Sequence, residues 1–186
     1  MAEPSFRSSA TASLPGRSSR TAATPLLACE AVATAAERCA HFRIRHQVFV
    51  IEQGMFGGSY GGVGGAGGDD TDGHDDDPAT IHVIGRAAET ICGTVRLYPL
   101  GPDPRGQWKG DRLAVLAGYR HLGLGAPLVR FAVSAAARLG GQEMEAFIQP
   151  ANVAFFRWLG WERTGDLEDY AGLPHQRMLI DLTRQT

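Results

Sequence analysis

Residues 111–133 read DRLAVLAGYRHLGLGAPLVRFAV. A strand-like run through Leu113, Ala114 and Val115 leads into the turn Arg120-His121-Leu122-Gly123-Leu124-Gly125-Ala126, and a helical repeat comes next. Leu124, Leu128, Phe131, Ala135 and Leu139 share one face, which predicts a helix over Gly123–Leu139. Pro127 suits its first turn, where no intrahelical donor is needed, and Gly140-Gly141 stop it. A helix start leaves backbone N–H groups unpaired at the positive end of the dipole. Glycines there let an anion come close, so the turn suits a phosphate or pyrophosphate. No Gly-Lys-Ser/Thr is present, so it is not a nucleotide triphosphatase loop. Taken alone, such a turn is more often structural; the order of the surrounding segments changes that balance.

Upstream, a strand is expected near Leu26–Val32 and a helix from about Ala35 to Val50, carried by Phe42, Arg45, Val48, Phe49 and Ile51. Thr80–Ala87 and Thr90–Tyr98 read as a hairpin around Glu89, and a further strand runs from Trp108 to about Ala117. Downstream come a strand with Met144, Ala146 and Ile148, a short helix over Asn152–Leu159, and two strands, Trp161–Leu167 and Met178–Leu182. This mixed order predicts an α/β (α+β) fold, with helices flanking a mostly antiparallel sheet.

Two segments read as lacking packed structure. Residues 1–25 are rich in Ser, Thr, Ala and Arg, with Glu3 as their only acid, and are expected to be a disordered tail before one domain over 26–186. Residues 57–77 run from Gly-rich to Asp-rich and are expected to be a flexible, solvated acidic loop. The calcium-loop pattern fails there: in register with Asp70, Asp72 and Gly73, Gly68 holds the first ligand position and Ala79 the closing Glu position.

The whole chain of 186 residues carries a net charge of −2 and is 44% hydrophobic, enough for one ordinary core. Neither nucleic acid nor a membrane is an expected partner, since the charge is near neutral and no apolar run is long enough to span a bilayer. Cys29, Cys39 and Cys92 are scattered, form no C-x-x-C pair and read as three buried thiols of a cytoplasmic protein, with no metal site.

Arg120-x-x-Gly123-x-Gly125 resembles the pyrophosphate motif of the GNAT N-acetyltransferase superfamily, and Leu113-Ala114-Val115 resembles the strand that pairs with the pantetheine arm. Arg45 through Gln53, then Asp75–Asp77, His82 and Gly93-Thr94-Val95-Arg96-Leu97, occur in the family's order. Phe155-Phe156-Arg157-Trp158-Leu159-Gly160-Trp161 and Gly172-Leu173-Pro174-His175 are similar to its two C-terminal segments. The pattern is nearest to a bacterial subgroup linked to nitrogen starvation and nitrilase gene clusters. Two slots depart from the family. Gln149 stands at the usual amide position, with Asn152 three residues later, and Phe156 replaces the tyrosine that often protonates the leaving thiolate.

The resemblance implies a GNAT fold, acetyl-CoA as co-substrate, and direct acyl transfer to a small-molecule or protein amine. A homodimer is a further expectation from the family. It assigns Leu113, Ala114, Val115, Arg120 to Ala126, Gln149, Asn152 and Phe155 to the coenzyme. Candidate bases are Asp111, Glu52 and His82; Tyr170 is the replacement acid; Arg45, His82, Arg96 and His175 are candidates for substrate binding. Each also has a structural reading: a strand-start Asp, a helix-capping Glu, a core His, a packed Tyr. Two rival functions stand beside this one. Arg45-x-x-x-Phe49 with the Asp cluster also resembles acyl-homoserine-lactone synthases, and the missing tyrosine also fits a non-catalytic coenzyme- or partner-binding module.

Overall fold

The computed structural model describes residues 25–56, 69–170 and 172–184. Residues 1–24 of the expected tail and the Gly-rich part of the expected loop, 57–68, lie outside the described residues. One sheet holds seven strands: β1 (Leu27–Ala31), β2 (Ile81–Ala87), β3 (Thr90–Pro99), β4 (Gln107–Val115), β5 (Glu143–Ile148), β6 (Glu162–Tyr170) and β7 (Leu173–Asp181). Their order is β1-β2-β3-β4-β5-β7-β6. Only β4 and β5 are parallel; the other pairs are antiparallel.

Helix α1 (Ala35–Arg45) starts where Thr34 and Glu37 exchange side-chain-to-backbone hydrogen bonds, so two otherwise unpaired N–H groups are satisfied. The expected single helix to Val50 instead widens into π-helical turns over His46–Glu52. An extra residue per turn rotates the next side chains about the helix axis, and here Phe49 and Gln53 face the central cleft. Helix α2 (Gly125–Arg138) begins two residues later than expected. A 3-10 stretch over Ala117–Leu122 and a left-handed Gly123 (φ 76°) come first.

The helices cover both faces of the sheet. α2 lies across β1–β4, and Gly93 permits its close approach: a Cβ there would stand 2.9 Å from side-chain atoms of Leu124 and Leu128. Leu113 and Val115 of β4 pack on this main core, together with Phe156 of helix α3 (Val153–Trp158). Ala114, on the opposite side of the strand, packs with Ile44 and Val48 below α1.

The sheet parts at its centre. β4 and β5 pair only at Gln107–Glu143, Trp108–Met144 and Lys109–Glu145, and both strands run on beyond that point. β7 pairs with β6 from Leu173 but with β5 only from Gln176. Leu173–His175 therefore overhang the opening, and Pro174 is tolerated because no neighbour on that side needs its N–H. The last strand thus starts five residues before the expected Met178 and takes in most of the Gly172–His175 turn.

Candidate active site

The cleft between β4 and β5 has lining residues from both faces of the sheet. Its outer wall carries Lys109, Asp111, Phe147, Gln149, Tyr170 and His175; its inner end carries Val129, Met144, Phe156 and Trp161. Thus the parting of two strands cuts a passage through the sheet. Such a gap exposes the backbone groups of two strand edges, which an extended, amide-bearing arm can pair with.

β4 itself is irregular. Ala114 pairs with Thr94 and Asp111 with Arg96, so Arg112 and Leu113 stand opposite Val95 alone, a β-bulge. Arg112 has φ 52°, a conformation that costs a non-glycine residue about 1 kcal/mol or more. Its surroundings hold it there. The Arg112 carbonyl accepts from Thr94 Oγ1 at 3.1 Å, and its guanidinium donates to the Asp70 carbonyl, to Asp72 Oδ2 and to the Tyr170 hydroxyl.

Behind the bulge lies a buried ion cluster. Arg45 donates to both oxygens of Asp75 and to Asp70; Arg96 donates to Asp72, Asp75 and Asp111. Both guanidinium groups are wholly buried, and Asp70 and Asp75 nearly so. This corrects the expectation of a solvated acidic loop for its second half. Residues 73–76 form a 3-10 turn capped by Asp72; Asp70, Asp72 and Asp75 turn toward three arginines on α1, β3 and β4, while Asp69, Asp76 and Asp77 stay exposed. Burial by itself would raise the Asp75 carboxyl, but the Arg45 hydrogen bonds and charge outweigh it and pull the group below the usual carboxylate range. Asp72 is lowered in the same way by Arg96.

The cluster decides what several candidates can do. Arg45 and Arg96, expected to bind substrate, do not line the cleft; their donors are spent on carboxylates. His82 is also buried away from the cleft, its Nε2 3.1 Å from the Asp75 carbonyl, and burial lowers its pKa and keeps it neutral. Asp111 reaches the cleft wall, but both its oxygens accept from Arg96. Glu52 lies outside the lining and is paired with Arg120 at 2.6 Å; that hydrogen bond lowers its pKa and weakens it as a base.

The other candidates do converge. Tyr170 and His175 sit side by side on the β6–β7 pair, on one wall of the cleft, with ring centroids 5.4 Å apart. Arg112 can only donate, so Tyr170 accepts from it and keeps its hydroxyl proton for another partner. His175 Nδ1 is 2.9 Å from the Leu173 carbonyl. A carbonyl only accepts, so the proton sits on Nδ1 and the lone pair on Nε2, for which no partner occurs among the described residues. Gln149 and Asn152 both line the cleft, and Gln149 is tied to Gln53 at 3.0 Å.

The sequence model of the acetyltransferase (GNAT) family matches residues 59–161, more than half of the chain. The chain belongs to this family. A comparison with the curated proteins finds no match. Among solved structures, an acyl-CoA N-acyltransferase from Pseudomonas aeruginosa is 25% identical with a TM-score of 0.64, covering 82% of this chain and 97% of its own. FeeM, an N-acyl amino acid synthase from uncultured soil microbes, shares 16% identity at a TM-score of 0.67 over 87% and 94% of the two chains. BjaI, a CoA-dependent acyl-homoserine lactone synthase, shares 20% at 0.63 over 81% and 79%. The seven-stranded, mostly antiparallel sheet with flanking helices is the GNAT fold.

In this GNAT domain the expected coenzyme residues fall into two groups. Leu113 lies on the cleft, while Ala114 packs toward α1 and Val115 toward the main core. Arg120, His121 and Gly123 form an exposed turn, in which the Gly123 N–H donates to the Arg120 carbonyl; the side chains of Leu122, Leu124 and Ala126 pack inward. No side chain caps the start of α2 among the described residues, and Phe155 packs beside Gly125. The sequence reading missed Arg112, Lys109 and Phe147. Lys109 Nζ sits 4.7 Å from the Phe147 ring centroid and 5.5 Å from that of Tyr170. The adjacency of Arg112 to Asp111 on β4 was the available signal.

Proposed function

We propose that the protein transfers an acyl group directly from a coenzyme A thioester to the amine of a small molecule or protein. The observation that carries this is the β4–β5 cleft, with His175 and Tyr170 at its mouth. The coenzyme's pyrophosphate rests on the N–H groups at Leu124–Ala126, since that of Gly123 is donated to the Arg120 carbonyl, and its pantetheine arm pairs along Leu113–Val115, with Gln149 or Asn152 supplying a side-chain amide. Acetyl, the group named by the family resemblance, is the smallest acyl group the cleft would take.

A protonated amine has no lone pair, so His175 Nε2 first removes a proton. The amine nitrogen then attacks the thioester carbon. The resulting oxyanion is met by a backbone N–H of β4 at the bulge. The carbon–sulfur bond breaks, the amide forms, and Tyr170 gives its hydroxyl proton to the sulfur and regains one from the amide nitrogen through water. Asp111 and Glu52, the carboxylates among the candidate bases, are held by arginines and serve as counter-ions.

Calorimetry with acetyl-CoA tests the coenzyme site beside the double variant Gly123→Glu, Gly125→Glu. A Cβ at Gly123 meets nothing within 4 Å but is held at φ 76°, a strain of about 1–2 kcal/mol, and one at Gly125 makes only an ordinary contact with Phe155, so the variant's fold is checked by circular dichroism before binding is read. Micromolar binding that the two new charges abolish is expected; no binding to the folded wild type sinks the reading. An amine panel comes next, read by release of free thiol. Turnover separates the enzyme from a non-catalytic module, and His175→Ala should lower kcat by roughly 10²–10⁴ with coenzyme affinity kept. The likeness to BjaI, whose structure holds SAM and isopentyl-CoA, favours adding SAM to that panel.

A further inference from the structure

One cation of the cleft has no carboxylate. Among the charged side chains of the lining, Asp111 is held by Arg96, and Arg112 by Asp70 and Asp72. Lys109 makes no hydrogen bond or ion pair with any of the described residues; its register neighbour on β5, Glu145, is tied to Arg177 at 2.7 Å. The half-buried ammonium lies instead over the Phe147 and Tyr170 rings, which are nearly parallel, at 7°, with centroids 5.7 Å apart. Ring faces hold a cation in place but leave its three N–H donors unspent. A shielded charge in that state calls for an anion. Lys109 also looks to a definite side of the sheet. Trp108 beside it packs in the core below α2, while Lys109 pairs across to Tyr98 as Asp111 does to Arg96. Alternation puts Lys109 on the face of the ion cluster, opposite α2 and the glycine turn that starts it. With the donor's phosphates on the α2 side, what meets Lys109 is the acceptor. Tyr170 joins the two chemistries: its ring centroid stands 5.5 Å from Lys109 Nζ and 5.4 Å from the centroid of His175. A cation and a basic lone pair thus lie within reach of one small molecule.

We propose that the acceptor is an amino acid, its carboxylate bound by Lys109 and its amine presented to His175 Nε2. The inference rests on the acyltransferase reading and names the acceptor class for the same cleft. Lys109 determines specificity and takes no proton. A charge-assisted bond to the carboxylate anchors one end of the acceptor, so the nitrogen at the other end is held near the thioester carbon. The nitrogen–carbon bond forms as the carbon–sulfur bond breaks. One ammonium proton goes to His175 and one replaces the proton that Tyr170 gives to sulfur, so the products are an N-acyl amino acid and free coenzyme A. An amine without the carboxylate leaves Lys109 as unpaired as before and is used roughly tenfold to a hundredfold less well.

Release of free thiol from acetyl-CoA by the full chain tests it, with a set of α-amino acids, each beside its carboxamide and its decarboxylated amine. The carboxamide is the weaker base and the decarboxylated amine the stronger, so basicity cannot explain a loss in both. The kcat/KM of the best amino acid should exceed that of both analogues by roughly tenfold or more. In Lys109→Met that preference should shrink to about threefold or less, through the KM of the amino acid, with acetyl-CoA affinity by calorimetry kept; Lys109→Arg should retain most of it. If Lys109→Met does not fold, the wild-type comparison decides alone. Amino acids used no better than their neutral analogues overturn the anionic acceptor and leave the acyltransferase reading standing. So does a Lys109→Met that weakens acetyl-CoA binding with the preference intact, which gives the lysine to the donor. No thiol release with any amine removes both.

Discussion

Arg96 holds Asp111 with two nearly parallel hydrogen bonds, Nε to Oδ1 at 2.8 Å and Nη2 to Oδ2 at 2.7 Å. The same guanidinium reaches Asp72 and Asp75, so one wholly buried cation joins β3, β4 and the acidic turn. These partners outweigh the cost of burial and raise the Arg96 pKa further. Removing one member of a buried ionic set strands the rest. Arg96→Leu is therefore expected to cost about 3–5 kcal/mol in urea unfolding. Arg96→Lys should recover only part of that, because an ammonium cannot make the forked contact. A loss below about 1 kcal/mol for Arg96→Leu would contradict the cluster's structural role.

Stability should fall with acid in two stages. His41 packs against His82 with ring centroids 4.8 Å apart. Burial, then the charges of Arg45 and His82, lower His41 to about 3, and burial also lowers His82. Both are neutral when folded, whereas the unfolded chain binds protons as pH falls through about 6.5. Their contribution is complete above that pH and drains away below it, at about 1.4 kcal/mol per pH unit for each ring. Asp72 and Asp75 have lowered pKa values, so their contribution is present above about pH 4 and is lost below it. Urea midpoints at pH 7.5, 6 and 5 check the first stage; a flat profile would count against the buried histidine pair.

Tyr170→Phe removes the acceptor for Arg112 Nη1 and the proposed acid in one step. Arg112 keeps its bonds to Asp70 and Asp72, so the fold should lose no more than about 1.5 kcal/mol. Turnover should fall roughly 10²-fold or more with coenzyme affinity unchanged. Unchanged turnover would leave the thiolate to depart without this hydroxyl.

The thiols should separate by reactivity. Cys39 is exposed on α1, which corrects the expectation of three buried thiols; Cys92 is buried and Cys29 half-buried. Burial, then the neighbouring Cys92, pushes Cys29 up to about 11, and burial also raises Cys92. A disulfide reagent at neutral pH should label one thiol quickly in the folded protein and all three in denaturant.

Periodicity and turn chemistry made the sheet, α2 and the glycine turn before it legible, because each is a local pattern in neighbouring residues. The ion cluster was not. Arg45, Arg96, Asp75 and Asp111 are far apart in sequence, and an Asp-rich run beside glycines looks solvated until three arginines converge on it. The π-helical turns at His46–Glu52 and the bulge at Arg112 escaped for the same reason: each replaces a regular repeat with one extra residue that only tertiary packing selects. Of the site, His175 was legible as a residue but not as a lone pair. Its tautomer depends on the Leu173 carbonyl, which the overhang of β7 supplies.

The three register pairs that join β4 to β5 also make a mechanical statement. Four strands on one side and three on the other are stitched at a single end, so the seven-stranded sheet is built as two panels joined along a short seam. Amides on the inner margins of those panels belong to the middle strands of the sheet, yet they should meet deuterium as the rim of a sheet does. A bound pantetheine arm would close that seam, and its arrival would be visible as a stripe of slowed exchange down the middle of the protein.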